Sequence, residues 1–213
     1  MRLHGYYRSS TSYRLRIALN LKALDYTTIP VNLLESAQRS EEFRARNPFA
    51  GVPVLEAEGR DRAQSMAIIE WLEDRFPERP LLPKDAEDRF TVRELSYAVA
   101  TELHAPLNLK VLQYLKSELG QNQDAVDTWY RHWLGLTLDP LEQRLAQLDT
   151  RDFLLAAPGM FEAVLIPQLY NARRFAFDLS RSPHLLRIEA ACAELPAFAA
   201  AHPDCQIDTP KEN

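Results

Sequence analysis

The chain has 213 residues, 46% of them hydrophobic, and a formal net charge of -5, which is apolar content enough for one large or two small domains with buried cores. This acidity argues against a nucleic-acid binder, whose footprint is a basic stripe, and no run of about 18 apolar residues offers a membrane span. Cys192 and Cys205 make neither a disulfide framework nor a CxxC pair, and the five histidines are dispersed, so no metal site is expected.

The first residues lack the apolar core of a signal peptide, which points to a cytoplasmic protein. Residues 2–7 read as a short strand. They run into Arg8-Ser9-Ser10-Thr11-Ser12, a row of hydroxyls opening an amphipathic helix expected over 11–24. One side-chain oxygen suffices to cap a helix, so surplus hydroxyls at a strand-to-helix turn suggest an anion site, with over-capping as the plainer alternative. The anion could be a phosphate, a carboxylate or a thiolate, and the lack of a glycine-rich loop or P-loop lysine weakens the first. Residues 26–31 are β-branched and read as a second strand parallel to the first. Residues 36–46 are polar around Phe43 and suggest a short helix. In Asn47-Pro48-Phe49-Ala50-Gly51-Val52-Pro53-Val54-Leu55 two prolines enforce extended or turn geometry. A cis bond at Pro53 would leave nearby backbone groups free for a peptide-like ligand.

Residues 54–56 and 60–63 can pair as a hairpin around Gly59. Gln64-Ser65 then opens a helix over 66–76, a second start with a hydroxyl and free amides, where simple capping is again the alternative. Pro77, Pro80 and Pro83 read as a linker. Beyond them the pattern is helical: one long helix over 86–119, another over 121–148 interrupted at Pro140, and a third from Pro158-Gly159 to Phe175 kinked at Pro167. A further helix starts at Ser182-Pro183, and the tail from Asp204 reads as frayed. The expected division is an α/β domain over 1–80, a linker over 81–88 and an all-helical domain over 89–213.

The segments SSTSYRLRIALNLK, NPFAGVPVL, QSMAIIEWLEDRFPERPLLP and PQLYNARRFAFDLS, in this order and with a helical second half, resemble the zeta class of glutathione transferases, which includes the maleylacetoacetate and maleylpyruvate isomerases. The resemblance implies a thioredoxin-like domain of mixed sheet joined to a helical domain, glutathione as cofactor, and a homodimer. It implies that Ser9 lies beside the glutathione sulfur with Ser10 and Thr11 nearby. Val52, before a cis Pro53, would pair with the cysteinyl backbone, Gln64 and Ser65 would hold the γ-glutamyl carboxylate, and Gln38 would reach the glycyl end. Arg8 and Arg174 would bind a carboxylate substrate, Arg174 also stabilising charge developed on thiol addition. His104 and Asn108, four apart on one helix face, would orient substrate oxygens.

The implied reaction is thiolate addition to a cis double bond, rotation and elimination, serving aromatic amino-acid or aromatic acid catabolism with a small dicarboxylate as substrate. Partners outside this class, nucleic acid and membrane among them, are not expected. Two alternatives stay open: a broader transferase or dehalogenase acting on small electrophiles such as haloacids, and a non-catalytic ligand-binding member of the fold. Some positions depart from the family pattern. Thr11 stands where the eukaryotic isomerases carry cysteine, and the proline of His104-Ala105-Pro106-Leu107-Asn108 is shifted. Leu109 replaces an arginine of the maleylpyruvate isomerases, with Lys110 only a partial substitute. Gly159 with Glu162 stands where a hydroxyl cap with aspartate is usual, for which a modest loss of stability is expected.

Overall fold

The computed structural model describes residues 1–148 and 150–210. By contacts the chain divides into two units, one holding 1–82 together with the segment from Ala193 onward, the other Pro83–Cys192. The expected helical domain ran from 89 to 213; the contacts group the segment from Ala193 with the sheet.

The first unit is built on a four-stranded sheet. Strand β1 (Arg2–Gly5) leads into α1 (Ser10–Leu21), and β2 (Thr27–Pro30) returns parallel to β1 with Leu3 opposite Thr28. A 3-10 turn (Ala37–Arg39) and α2 (Glu41–Arg46) follow, then β3 (Val54–Ala57), β4 (Arg60–Ala63) and α3 (Ser65–Arg75). β3 runs antiparallel to both β1 and β4, Leu55 facing Leu3 on one side and Arg62 on the other, so the order is β2-β1-β3-β4 and the sheet is mixed. The hairpin turns at Gly59, whose φ of 71° suits a residue without a Cβ.

Both α1 and α3 bury apolar residues, Leu15, Ile17 and Leu19 from one and Ile68, Ile69 and Leu72 from the other, together with Leu3 and Leu55 of the sheet. Phe43, the one buried residue of α2, closes a smaller cluster with Val31 and Val54. The proline-rich stretch is anchored as well. Glu73 accepts from the amides of Leu81 and Leu82, and Lys22 Nζ, 2.9 Å from that carboxylate, donates to the carbonyls of Phe76 and Arg79.

In the second unit α4 (Ala86–Tyr97) runs into a π-helical stretch (Ala98–Leu103), followed by α5 (Leu109–Ser117), α6 (Gln123–Gln147), α7 (Met160–Arg174) and α8 (Pro183–Ala193). The single helix expected over 86–119 is therefore broken. The amide of His104 reaches back five residues to Val99 at 3.1 Å, and the extra residue per turn re-aims the chain before Ala105-Pro106 ends the helix. The interruption expected at Pro140 does not occur: α6 continues through it. Pro140 lies on the exposed face, where the carbonyl it strands can turn to water. α7 also runs on through Pro167.

The tail expected to fray is tied down over its described length. α9 (Pro196–Ala201) packs against α1, a 3-10 turn (Pro203–Cys205) follows, and Asp208 accepts from the Tyr7 amide at 2.9 Å. Arg16, buried within α1, donates at 2.9 Å to the carbonyls of both Ala201 and Tyr7. No described helix is long and apolar enough to cross a membrane.

Candidate active site

The turn between β1 and α1 is set by close approach. A Cβ on Gly5 would lie 3.0 Å from Ser12 Oγ, and that buried hydroxyl accepts from the Tyr6 amide at 3.3 Å. Ser9 is the N-cap of α1, with extended backbone angles and its Oγ accepting from the Ser12 amide at 3.3 Å. Thr11 Oγ1 donates to the Val52 carbonyl at 2.9 Å and lies 3.0 Å from Ser9 Oγ. Since the Thr11 proton is committed to Val52, the Ser9 hydroxyl is the donor in that pair.

The Val52–Pro53 bond is cis, as the sequence suggested, and Pro53 is buried. Ser9, Thr11, Val52 and Pro53 are thus brought together, with Ser10 buried beside them in the first helical turn, whose amides have no partner within the helix. Arg8 stands at the same turn, its guanidinium 5.7 Å from the centre of the Tyr7 ring.

Gln64 and Ser65 lie at the start of α3. Gln64 is exposed and has φ 70° and ψ 99°, a conformation few non-glycine residues adopt. Ser65 is buried, and its Oγ accepts from Arg14 Nη1 of α1 at 3.0 Å. Arg14 was not singled out from the sequence. It is 1% exposed, and its Nε and Nη2 are buried without partners. Gln38 is also buried with Oε1 unpartnered.

In the second unit the structure joins His104, Asn108 and Arg174 through two residues that sequence reasoning missed. Asn108 Nδ2 and Gln168 Nε2 each lie 3.4 Å from a ring nitrogen of His104. Gln168 Oε1 accepts from Asn171 at 3.4 Å, and Asn171 Oδ1 accepts from Arg174 Nη1 at 3.2 Å. The signal was available: residues 168, 171 and 174 repeat at helical spacing as polar positions on a buried helix. Arg173 points elsewhere and pairs with Glu189. Leu109, the first residue of α5, is half-exposed.

One group of potential metal ligands occurs among the described residues, His4 with Glu56 and Asp61. Arg2 reaches Glu56, and Arg46 reaches both carboxylates at 3.3 and 3.0 Å, so cationic side chains already balance these acids. Glu162 accepts from the amides of Gly159 and Leu154 at 2.8 and 2.7 Å, and burial holds its carboxyl above the ordinary range.

A mixed four-stranded sheet with a hydroxyl-capped helix beside a cis proline is the build of a glutathione transferase amino-terminal domain, and residues 3–80 match the family model described as Glutathione S-transferase, N-terminal domain. The maleylacetoacetate isomerase of Rhizobium meliloti (strain 1021) is 43% identical over 203 residues, 95% of each chain. A solved holo maleyl pyruvate isomerase, a bacterial zeta-class glutathione transferase, superposes with a TM-score of 0.96 at 38% identity, over 99% of this chain and 100% of that one. The maleylacetoacetate isomerase of Anaeromyxobacter dehalogenans 2CP-1, solved with dicarboxyethyl glutathione and citrate in its active site, gives a TM-score of 0.86 at 41% identity, over 98% and 93%. The chain belongs to the zeta class of glutathione transferases, among its maleylacetoacetate and maleylpyruvate isomerases.

Proposed function

We propose that this chain is a glutathione-dependent cis–trans isomerase of maleyl acids, maleylacetoacetate or maleylpyruvate, acting in the cytoplasm in aromatic amino-acid or aromatic acid catabolism. The observation that carries the reading is the hydroxyl chain from Ser9 through Thr11 to the Val52 carbonyl at the start of α1. Glutathione held at this turn would supply the thiol nucleophile for reversible addition to the cis double bond, and would be regenerated rather than consumed. A dicarboxyethyl group on sulfur, as held by the Anaeromyxobacter relative, is what such an addition to a butenedioic acid produces.

The chain's own residues bind and polarise. Ser9 would turn its proton to the sulfur, and with the first-turn amides, Ser10 and Thr11 beside it, would hold the thiol below its reference pKa near 8.5. Val52, before cis Pro53, would pair its backbone with the cysteinyl residue. Gln64 and Ser65 would hold the γ-glutamyl carboxylate at the start of α3. Gln38 would meet the glycyl end, where its unpartnered Oε1 can only accept, from an N–H such as that of the glycyl amide. These roles assign glutathione to a domain over 1–80. In the helical domain, taken from 89 onward past a linker over 81–88, Arg174 would bind the substrate carboxylate and the charge that develops on its carbonyl oxygen. His104 and Asn108 would orient substrate oxygens, and Arg8 would add a second cation. The protein is proposed to be a homodimer.

Incubation with glutathione and maleylpyruvate or maleylacetone tests the reading: the cis isomer should disappear only when glutathione is present, without consuming it. If the cis isomer persists with both components present, the reading fails. Leu109, where the maleylpyruvate isomerases carry arginine, supports a second reading, a broader transferase or dehalogenase acting on small electrophiles such as haloacids; a stable glutathione conjugate would mark it.

A further inference from the structure

We propose that Arg14 is a positioning residue that charges and orients the Ser65 subsite from behind, so that this hydroxyl meets a carboxylate with its proton outward and a buried cation at its back. The proposal rests on the glutathione reading, which puts the γ-glutamyl carboxylate at Ser65. Arg14 is fully enclosed, no carboxylate pairs with it among the described residues, and Nη1 donates to Ser65 Oγ at 3.0 Å. A buried guanidinium with Nε and Nη2 unsatisfied is costly to keep, and burial lowers its pKa only to about 10, so it stays cationic at neutral pH.

Its geometry gives that cost a use. A serine hydroxyl has one proton to give; by accepting from Arg14, Ser65 keeps that proton for another acceptor. Ser65 is also the first residue of α3, where the helix dipole and free amides favour an anion. The cation, the dipole and the oriented hydroxyl therefore favour negative charge at one place. Gln64, held at φ 70° immediately before, fixes where the helix begins.

The experiment compares binding of glutathione with binding of 4-aminobutyryl-cysteinyl-glycine, which lacks only the γ-glutamyl α-carboxylate, by calorimetry on the full chain. Wild type should prefer glutathione. Arg14→Met should lower that preference about 10- to 100-fold while leaving the analogue's affinity unchanged, and Arg14→Lys should restore part of it. If Arg14→Met does not fold, Arg14→Gln, which can still donate to Ser65 but is neutral, should lower the preference in the same way. An unchanged preference, or an equal loss for both ligands, overturns the role of Arg14 while leaving the glutathione site standing. Failure of wild type to bind glutathione, or to discriminate the two ligands, overturns the underlying reading and the proposal with it.

Discussion

The Thr11 hydroxyl gives its proton to the Val52 carbonyl at 2.9 Å, so one hydrogen bond joins the first turn of α1 to the residue before cis Pro53. Thr11→Val removes that bond and frees the Ser9 hydroxyl it organises. We expect a folded protein whose apparent Michaelis constant for glutathione rises about 3- to 10-fold, in keeping with the loss of about 1 kcal/mol typical of one hydrogen bond. Steady-state kinetics with glutathione varied would contradict this if the constant did not move.

Ser9→Ala removes two things at once. Loss of the cap on the Ser12 amide should cost about 1 kcal/mol of stability, readable by urea denaturation. Loss of the hydroxyl proposed as donor to sulfur should raise the pKa of the bound thiol and lower turnover at neutral pH, with recovery at higher pH as the thiol ionises. A pH–rate profile displaced downward without a shift toward alkaline pH would remove Ser9 from that role.

The two adjacent arginines of α7 should separate cleanly. Arg174→Ala is expected to raise the Michaelis constant of a carboxylate substrate while sparing a neutral electrophile. Arg173, whose exposed guanidinium pairs with Glu189 and has its pKa raised by that hydrogen bond, should change neither when replaced by alanine, and stability should move by less than about 1 kcal/mol. Equal kinetic effects at 173 and 174 would defeat the assignment.

Much of the first unit was legible because its signals are local. Gly59 between two short extended runs, the hydroxyl row after β1 and Pro53 before an apolar strand each constrain the backbone within a few residues. Arg14 and Arg16 were not legible. In sequence each reads as a solvated charge on an amphipathic helix, yet both are buried, because α3 and α9 cover faces of α1 that its own residues do not mark as core. The π turn at 98–103 was hidden for a related reason: Leu95, Val99, Leu103 and Leu107 keep the i, i+4 spacing, and only the hydrogen bond from His104 to Val99 reveals the added residue. The long-range partners of Tyr7 and Ser65 lie too far along the chain for any periodicity to report them.

The Lys22–Glu73 pair is a stability test inside the first unit. Both side chains are buried, and the carboxylate also caps the amides of Leu81 and Leu82. Lys22→Met strands the Glu73 charge and should cost about 3–5 kcal/mol, seen as a lower urea midpoint. A change below about 1 kcal/mol would mean that water reaches the carboxylate in its place.

Glu162 gives a pH dependence of definite sign. Burial raises its folded pKa above the ordinary 4.5, so the native state holds the proton more tightly than the unfolded chain. Its contribution is therefore fully present below about pH 4.5 and declines as pH rises through the raised value. Relative to Glu162→Gln, wild-type stability should fall as pH increases from that point and then level off. Denaturation series on both proteins check this, and a gap that widened in favour of wild type with rising pH would contradict it.

The Tyr7 amide finds its acceptor, Asp208, 201 positions downstream. Translation runs from the amino end, so β1 and the turn after it emerge from the ribosome long before the carboxylate that fastens them. The segment carrying Ser9 can reach its finished hydrogen-bonded form only once residue 208 has been made and has folded back, which binds the timing of the chemistry to the far end of the polypeptide.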